Sequence, residues 1–562
     1  VPINAARLSS APRARQTPRR GGFDPTMRAP MSERRPSLLR SAGSISVATA
    51  VSRVLGVARD QLQAYLFGAA FATDAFFAAF RIPNLLRDLF AEGALSAAFV
   101  PTFTAVREKD GDRAAWDLAN RVISALVVLL GGLAIVFFLG ARPIQHLYAP
   151  GFGPEKLELA ASMTRILSPF LLFVALAALA MGVLTTMRVF FLPALSPAWF
   201  NVCCIAGMVV LPPVLRPLGL DPILSLAIGA IVGGAAQFLV QVPSLRKRGF
   251  RFRWDWGPRD PGVVRIATLM LPAVFGLAAT QINIFVDTML ASKFGDGSIS
   301  WLQMAFRLIQ LPIGLFGVAI ATANLATASR DSARGDHESM RRSLAGAIRA
   351  AALLTLPATA GLVALRVPII QLLYQRGRFQ ASDTAAAAGA LLCYTAGLFA
   401  YSVTKIQVPT FYALGETRIP VISSAVAVGT KVAANFALIP VFRRAGVPPF
   451  LALATTTSLA AWINLAILGW GTRVRLGSFS GLGVLGTILR MTVVSIAVAV
   501  SCRFAYNWLA TVLPGPGFGP QLFRLLPVVL LGTLVTAGGA LALGVPEARA
   551  LAGRLARRNR PS

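Results

Sequence analysis

Stretches of about twenty consecutive apolar residues recur almost from end to end of this chain, each long enough to cross a hydrocarbon core as a helix. Apolar windows bounded by charge or by Pro/Gly clusters fall at about residues 44–66, 72–105, 117–140, 158–186, 194–215, 222–245 and 264–291. They continue at about 298–328, 343–365, 383–412, 419–440, 449–470, 485–508 and 522–545. In lipid a spanning segment must satisfy its own backbone hydrogen bonds. The expected fold class is therefore an all-α polytopic membrane protein of about 14 transmembrane helices. Of the 562 residues only 14% are charged, against about 25% in a soluble protein.

Net charge is +31. In a soluble chain this would suggest nucleic acid, but here the cations cluster between apolar runs and at both ends, as the positive-inside rule expects of cytoplasmic loops. With the N-terminus inside, the inner loops hold Arg107, Lys109 and Arg113, then Arg246 to Arg265, then Arg330, Arg334, Arg341 and Arg342, then Arg473 and Arg475. The outer loops are poorer in cations, with Arg376, Arg378, Arg443 and Arg444 the main exceptions. An even number of spans places both termini in the cytoplasm, and no nucleic-acid partner is expected. Cys203, Cys204, Cys393 and Cys502 lie in apolar segments without ligand spacing, and His146 and His337 are the only histidines. Neither a disulfide nor a metal site is expected. The chain has no Gly-x-x-x-x-Gly-Lys-Ser/Thr run, so it does not read as a nucleotide-driven pump.

Residues 1–40 contain nine arginines and only two acids, Asp24 and Glu33, with no apolar core. They are expected to be a basic disordered extension, or an over-extended gene start with Met27 or Met31 as the true first residue. Beyond them an internal repeat runs at one fixed offset of 226 residues. Ala79-Phe80-Arg81 matches Ala305-Phe306-Arg307, and Leu89-Phe90 matches Leu315-Phe316. Ile144-Gln145-His146-Leu147-Tyr148, with Gly151, matches Ile370-Gln371-Leu372-Leu373-Tyr374, with Gly377. Six spans per copy give both copies the same orientation, related by an axis along the membrane normal. The expected organisation is a first lobe over 41–247 (spans one to six), a second over 262–474 (spans seven to twelve), spans thirteen and fourteen over 484–546, and a basic tail over 547–562. Two parallel six-helix lobes are a transporter's architecture, with substrate between them and rocking as the means of alternating access.

The first two spans and span eight carry charges. Arg53 and Asp60 are seven residues apart on one helix face, with Arg59 pointing elsewhere. Asp74, Arg81 and Asp88 share a face of span two, and Glu92 follows a turn later. A charge near the bilayer centre costs roughly 2.5–3.5 kcal/mol on insertion scales, so such groups must face one another or a wet cavity. Internal pairing is expected for Arg53 with Asp60, and for Arg81 with Asp74 or Asp88; these acids, Arg81 and Glu92 read as structural or gating charges. Arg59, Arg87 and Arg307 have no acid at i±3, i±4 or i±7 and are the candidates for an anionic substrate, since guanidinium forks suit phosphate and carboxylate oxygens. Span seven holds Gln281, Asn283 and Asp287, and span eleven holds Lys431 and Asn435. Asp287, Lys431 and Asn435 are expected to form an ion pair or a coupling-ion site, the pair being slightly favoured.

Through Ser52-Arg53-Val54-Leu55-Gly56, Ala58-Arg59-Asp60, Thr73-Asp74-Ala75-Phe76-Phe77, Pro83-Asn84-Leu85-Leu86-Arg87, Phe90-Ala91-Glu92-Gly93 and Ser298-Ile299-Ser300-Trp301, the sequence resembles the MurJ/MviN family of lipid II flippases, within the superfamily of multidrug, oligosaccharidyl-lipid and polysaccharide exporters. The resemblance runs over about residues 41 to 550. It implies a flippase, not an enzyme, carrying the lipid-linked peptidoglycan precursor from the cytoplasmic to the periplasmic leaflet of a bacterial inner membrane. By motif it carries over Arg53, Arg59, Asp74, Asn84, Arg87, Ser300 and Arg307, with Arg53, Arg59, Arg87 and Arg307 as cavity arginines and Asn84 and Ser300 as further substrate contacts. It also implies that spans thirteen and fourteen form a groove for the polyprenyl tail. Two departures stand out: Phe306 where some members have an acid or Asn, and Gln310 where some have Glu. Both make the cavity more positive.

The expected mechanism is alternating access with no cofactor, driven by membrane potential or an ion gradient. The pyrophosphate of lipid II binds in a cationic central cavity, and the partners are lipid II and membrane lipids, with cell-wall synthesis machinery a further candidate; a monomer is the simplest state. The rival readings are an exporter of another polyprenyl-linked glycan and a membrane glycosyltransferase that uses lipid II. The second needs a catalytic carboxylate in a sizeable external loop, where this chain has short, acid-poor ones. A non-transporting scaffold leaves the intramembrane arginines without a purpose.

Overall fold

A computed structural model describes residues 38–89 and 95–558 as helices joined by short turns, with no strand among the described residues. Most of the expected N-terminal extension, and Glu92, lie outside the described residues. The first half comprises α1 (Leu38–Phe67), α2 (Phe71–Leu89), α3 (Leu95–Leu139), α4 (Ala141–Tyr148), α5 (Pro154–Leu167), α6 (Phe170–Thr186), α7 (Phe191–Val210), the single turn α8 (Pro212–Leu215), α9 (Leu224–Leu239) and α10 (Val242–Arg246). The second comprises α11 (Pro261–Ala291), α12 (Ser298–Pro312), α13 (Ala319–Ala333), α14 (His337–Tyr374), α15 (Ala381–Thr395), α16 (Leu398–Ala413), α17 (Arg418–Arg444) and α18 (Phe450–Leu476). Then come α19 (Val484–Val512), α20 (Phe518–Ala542) and α21 (Pro546–Arg558). The chain is a multi-pass membrane protein. Ten helical segments among the described residues are long and apolar enough to cross a membrane, eleven when α15 and α16, bent by 45°, count as one.

The expected second span, 72–105, is covered by α2 and the start of α3, with residues 90–94 outside the described residues, and α3 runs on through what was read as span three. The break between the two falls inside α3 at Gly111, whose φ of 86° and ψ of 175° suit a residue without Cβ. The repeat is visible in where helices begin: Phe71 and Ser298, Pro154 and Ala381, Phe191 and Arg418, and Leu224 and Phe450 are all 226 or 227 residues apart. Pro312 ends the regular ladder of α12, which loosens into a π-helix over Ile313–Val318.

Small residues set how closely the helices pack. A Cβ at Gly207, Gly229 or Gly233 would fall 2.8–2.9 Å from a carbonyl of the facing helix, so α7 and α9 touch backbone to backbone. One apolar core draws on both halves, with Phe76, Met163 and Leu226 from the first and Ala305, Leu391 and Leu453 from the second. A separate cluster (Leu353, Leu365, Met491, Val494, Val528) joins α14 to α19 and α20. The start of α11 is tied back to α3: Asp260 caps its first amides, Gly262 and Val263, and Arg121 of α3 bridges Asp260 (2.6 Å) and Asp255 (3.0 Å).

Candidate functional site

Between the halves lies a cavity of about 460 Å³, lined chiefly by α1, α2, α7 and α12. Its polar wall includes Arg59, Arg81, Asn84, Arg87, Gln303, Arg307 and Gln310; Phe77, Phe80, Phe200 and Phe306 supply much of the rest. The lining follows helical arithmetic, since Phe77, Arg81 and Asn84 step by four and three along α2, and Gln303, Arg307 and Gln310 do the same along α12. Arg59 reaches the cavity from α1 and lies over the Phe200 ring, 5.4 Å from its centroid.

The charges pair differently from the expectation. Asp60 does not bind Arg53; it accepts from Arg59 Nη2 at 2.9 Å on one oxygen and from Arg307 on the other. The i±3/4/7 rule missed both contacts because one partner is the adjacent residue and the other comes from the opposite half. Asp60 thus holds two guanidiniums of opposite halves together at the cavity wall, itself only 8% exposed. Arg53 is exposed, outside the cavity lining, and has no ion pair among the described residues. The Asp88 side chain, like Glu92, lies outside what the structure describes.

Asp74 does not pair with Arg81 either. It is fully buried at the end of the bundle where α2 and α12 begin, and there it meets Lys156 of α5 at 3.1 Å. Its other contacts cross to the second half: it accepts from Gly297 N (2.7 Å), Ser300 N (2.9 Å) and Ser300 Oγ (2.6 Å), an anion on the N-terminus of α12. Lys156 continues the bridge to Asp296 at 2.7 Å. In this structure Ser300 is therefore bound to Asp74 and does not line the cavity. The repeated glycines belong to the same closure. A side chain on Gly151 would run into the backbone at Ser292, and one on Gly377 into that at Tyr65, each in the opposite half. Arg378 N donates to Tyr65 O alongside, at 3.0 Å.

Asp287 and Lys431 form an ion pair between α11 and α17, the lysine 1% exposed. Asn435, fully buried, lies a turn beyond Lys431 on α17 and accepts from Thr456 Oγ1. Arg81 donates to Gln281 of α11 at 3.4 Å. The four cysteines are free thiols. Sequence reasoning missed Lys156, Asp296, Phe200 and Gln303. Phe200 and Gln303 sit on apolar or mixed faces with no charge to mark them, whereas Lys156 was legible as a cation at the start of a span whose partner is 82 residues away.

A family model described as "Lipid II flippase MurJ" matches residues 63–514. A probable lipid II flippase MurJ of Vibrio cholerae is 38% identical over 78% of this chain and 83% of its own length. The lipid II flippase MurJ of Burkholderia cenocepacia is 36% identical over 78% and 84%. Among solved structures, a lipid II flippase MurJ in an inward closed conformation aligns with a TM-score of 0.72 at 27% identity, covering 89% of this chain and 99% of that one. An inward-facing multidrug-resistance MATE transporter shares the fold at 14% identity, with a TM-score of 0.62 over 78% of this chain and 98% of that one.

Proposed function

The chain belongs to the MurJ lipid II flippase family, and from that footing we propose that it carries lipid II from the cytoplasmic to the periplasmic leaflet of a bacterial inner membrane by alternating access, as a transporter without covalent chemistry. The observation that carries this reading is the arginine-walled cavity between two repeated halves, closed at one end by buried contacts of Asp74. Arg59, Arg87 and Arg307 bind the pyrophosphate bidentately, Asn84 adds an amide, and substrate oxygens displace Asp60 from Arg307. Arg53 stands about 9 Å before Arg59 along α1 and offers a first contact to an entering anion. The sugar-peptide headgroup occupies the wet cavity while the polyprenyl chain stays in lipid, along α19 and α20.

In the orientation expected from loop charge, the Asp74 closure is on the periplasmic side, so this conformation admits substrate from the cytoplasm. Rocking of the lobe 41–247 against 262–474 then breaks the Asp74–α12 and Lys156–Asp296 contacts and opens the outer side. Cationic side chains lower the cost of carrying an anion past the midplane. Membrane potential favours return of the emptied, positively charged carrier, at about 2.3 kcal/mol per charge per 100 mV. Lys431 acts as a resident cation opposite Asp287, so no coupling ion is needed at that position.

Reconstitution tests this directly. In vesicles holding lipid II and the purified protein, the fraction of lipid II reached by an impermeant lipid II-consuming enzyme should rise well beyond that in protein-free vesicles. Equal accessibility with and without protein would defeat the proposal. A glycan exporter for a different polyprenyl diphosphate would move its own lipid and leave lipid II behind.

A further inference from the structure

Four residues of α2 and four of α12 that line the cavity stand in register along the internal repeat. Phe77 and Gln303, Phe80 and Phe306, Arg81 and Arg307, and Asn84 and Gln310 are each separated by 226 positions. Two of these pairs are identical residues, and a third is an amide in both copies. The axis relating the halves can be located as well. Asp74 and Ser300 are also equivalent positions, and they are hydrogen bonded to each other, so the axis passes between them. Arg81 and Arg307 lie seven residues farther along their helices, about 10 Å deeper and within about 20° of the same face. They therefore flank the axis from opposite walls of the cavity.

Each arginine is also held from across the divide by the first helix of the other half. Asp60 of α1 holds Arg307, and Gln281 of α11 holds Arg81. Asp74 is engaged by Lys156 and α12 rather than by Arg81.

We propose that Arg81 is a substrate-binding residue equivalent to Arg307, and that the two guanidiniums each take one phosphoryl group of a diphosphate lying across the pseudo-two-fold axis. A diphosphate is nearly two-fold symmetric about its bridging oxygen, so its two phosphoryl groups present the same oxygens to two equivalent arginine forks. A monophosphate offers only one such group. Asn84 and Gln310, one turn beyond, are equivalent amide donors to the flanking oxygens. This inference rests on the proposed polyprenyl-diphosphate substrate and gives the cavity a preference for a diphosphate over a monophosphate lipid.

The test uses full-length protein in detergent and two probes, undecaprenyl diphosphate and undecaprenyl monophosphate. Wild type should bind the diphosphate at least about tenfold more tightly, the worth of one charge-assisted bidentate contact. Arg81→Gln and Arg307→Gln should each lose that preference, weakening diphosphate binding about tenfold while monophosphate binding changes little. If Arg81→Gln does not elute as folded protein, Arg81→Lys decides, because it keeps the charge and loses the fork; a partial loss of preference is expected. Retention of the full preference in the folded Arg81 variant, with its loss in Arg307→Gln, would overturn the assignment. A wild type with no affinity for either lipid would instead defeat the substrate reading on which the assignment rests.

Discussion

At the scale of single residues, the molecule spends its intramembrane charges in two ways, and the two respond differently to mutation. Lys431 and Asp287 are a closed pair. Lys431→Met leaves a carboxylate without its cation and should destabilise the protein by about 3–5 kcal/mol, with most of that restored in Lys431→Met/Asp287→Leu. Denaturation in detergent measures both, and a double variant no more stable than the single would show that the pair is not an isolated unit. Asp60 with Arg59 and Arg307 is an open triad, because Arg307 keeps 38% of its side chain accessible. Arg307→Ala should therefore abolish transport while costing little stability, about 1 kcal/mol or less once solvent screening is counted. Unfolding curves and a transport assay on the same preparation check it. The sequence made these charges conspicuous, since apolar context marks an ionisable residue at once. It did not reveal their partners. Asp60 finds Arg307 and Asp74 finds Ser300 across more than 200 positions, and spacing along one helix carries no information about such contacts.

At the scale of elements, helices were legible, and so was the charged turn between spans two and three. Apolar runs of bilayer length predict helices because nothing else satisfies the backbone in lipid, and most expected spans coincide with described helices. The non-helical Gly111 inside α3 falls in the charged stretch from Arg107 to Arg113, where the sequence placed the turn between spans two and three. Gly151 and Gly377 were legible as a repeat but not as a closure. Their reason is steric: each lies against the backbone of the opposite half, where a side chain has no room. Gly377→Val should hold that end of the bundle apart. A cysteine placed at Ala69, which is 5% exposed at the closed end, should then react faster with an impermeant maleimide in intact cells than it does beside Gly377. Equal labelling rates would mean that the contact is not part of the gate.

At the scale of the whole molecule, duplication explains the architecture and divergence explains the function. Two copies with the same orientation place equivalent faces of α2 and α12 around one cavity, and at the closed end Asp74 in one copy meets Ser300 in the other, so a repeated site becomes a latch. The sequence showed the repeat through two short matches. That the axis threads the cavity is a property of packing between the halves, which short sequence matches do not carry. The central claim, that this arginine-walled cavity carries lipid II between leaflets, is tested most directly in a bacterium depleted of its own lipid II flippase. Wild type and Arg307→Ala are expressed at matched levels, and lipid II is quantified leaflet by leaflet. Wild type should restore growth and outer-leaflet lipid II, while the variant, equally abundant in the membrane, should leave lipid II on the inner side. Well-expressed wild type with lipid II still confined to the inner leaflet, or an Arg307→Ala variant as active as wild type, would contradict the account.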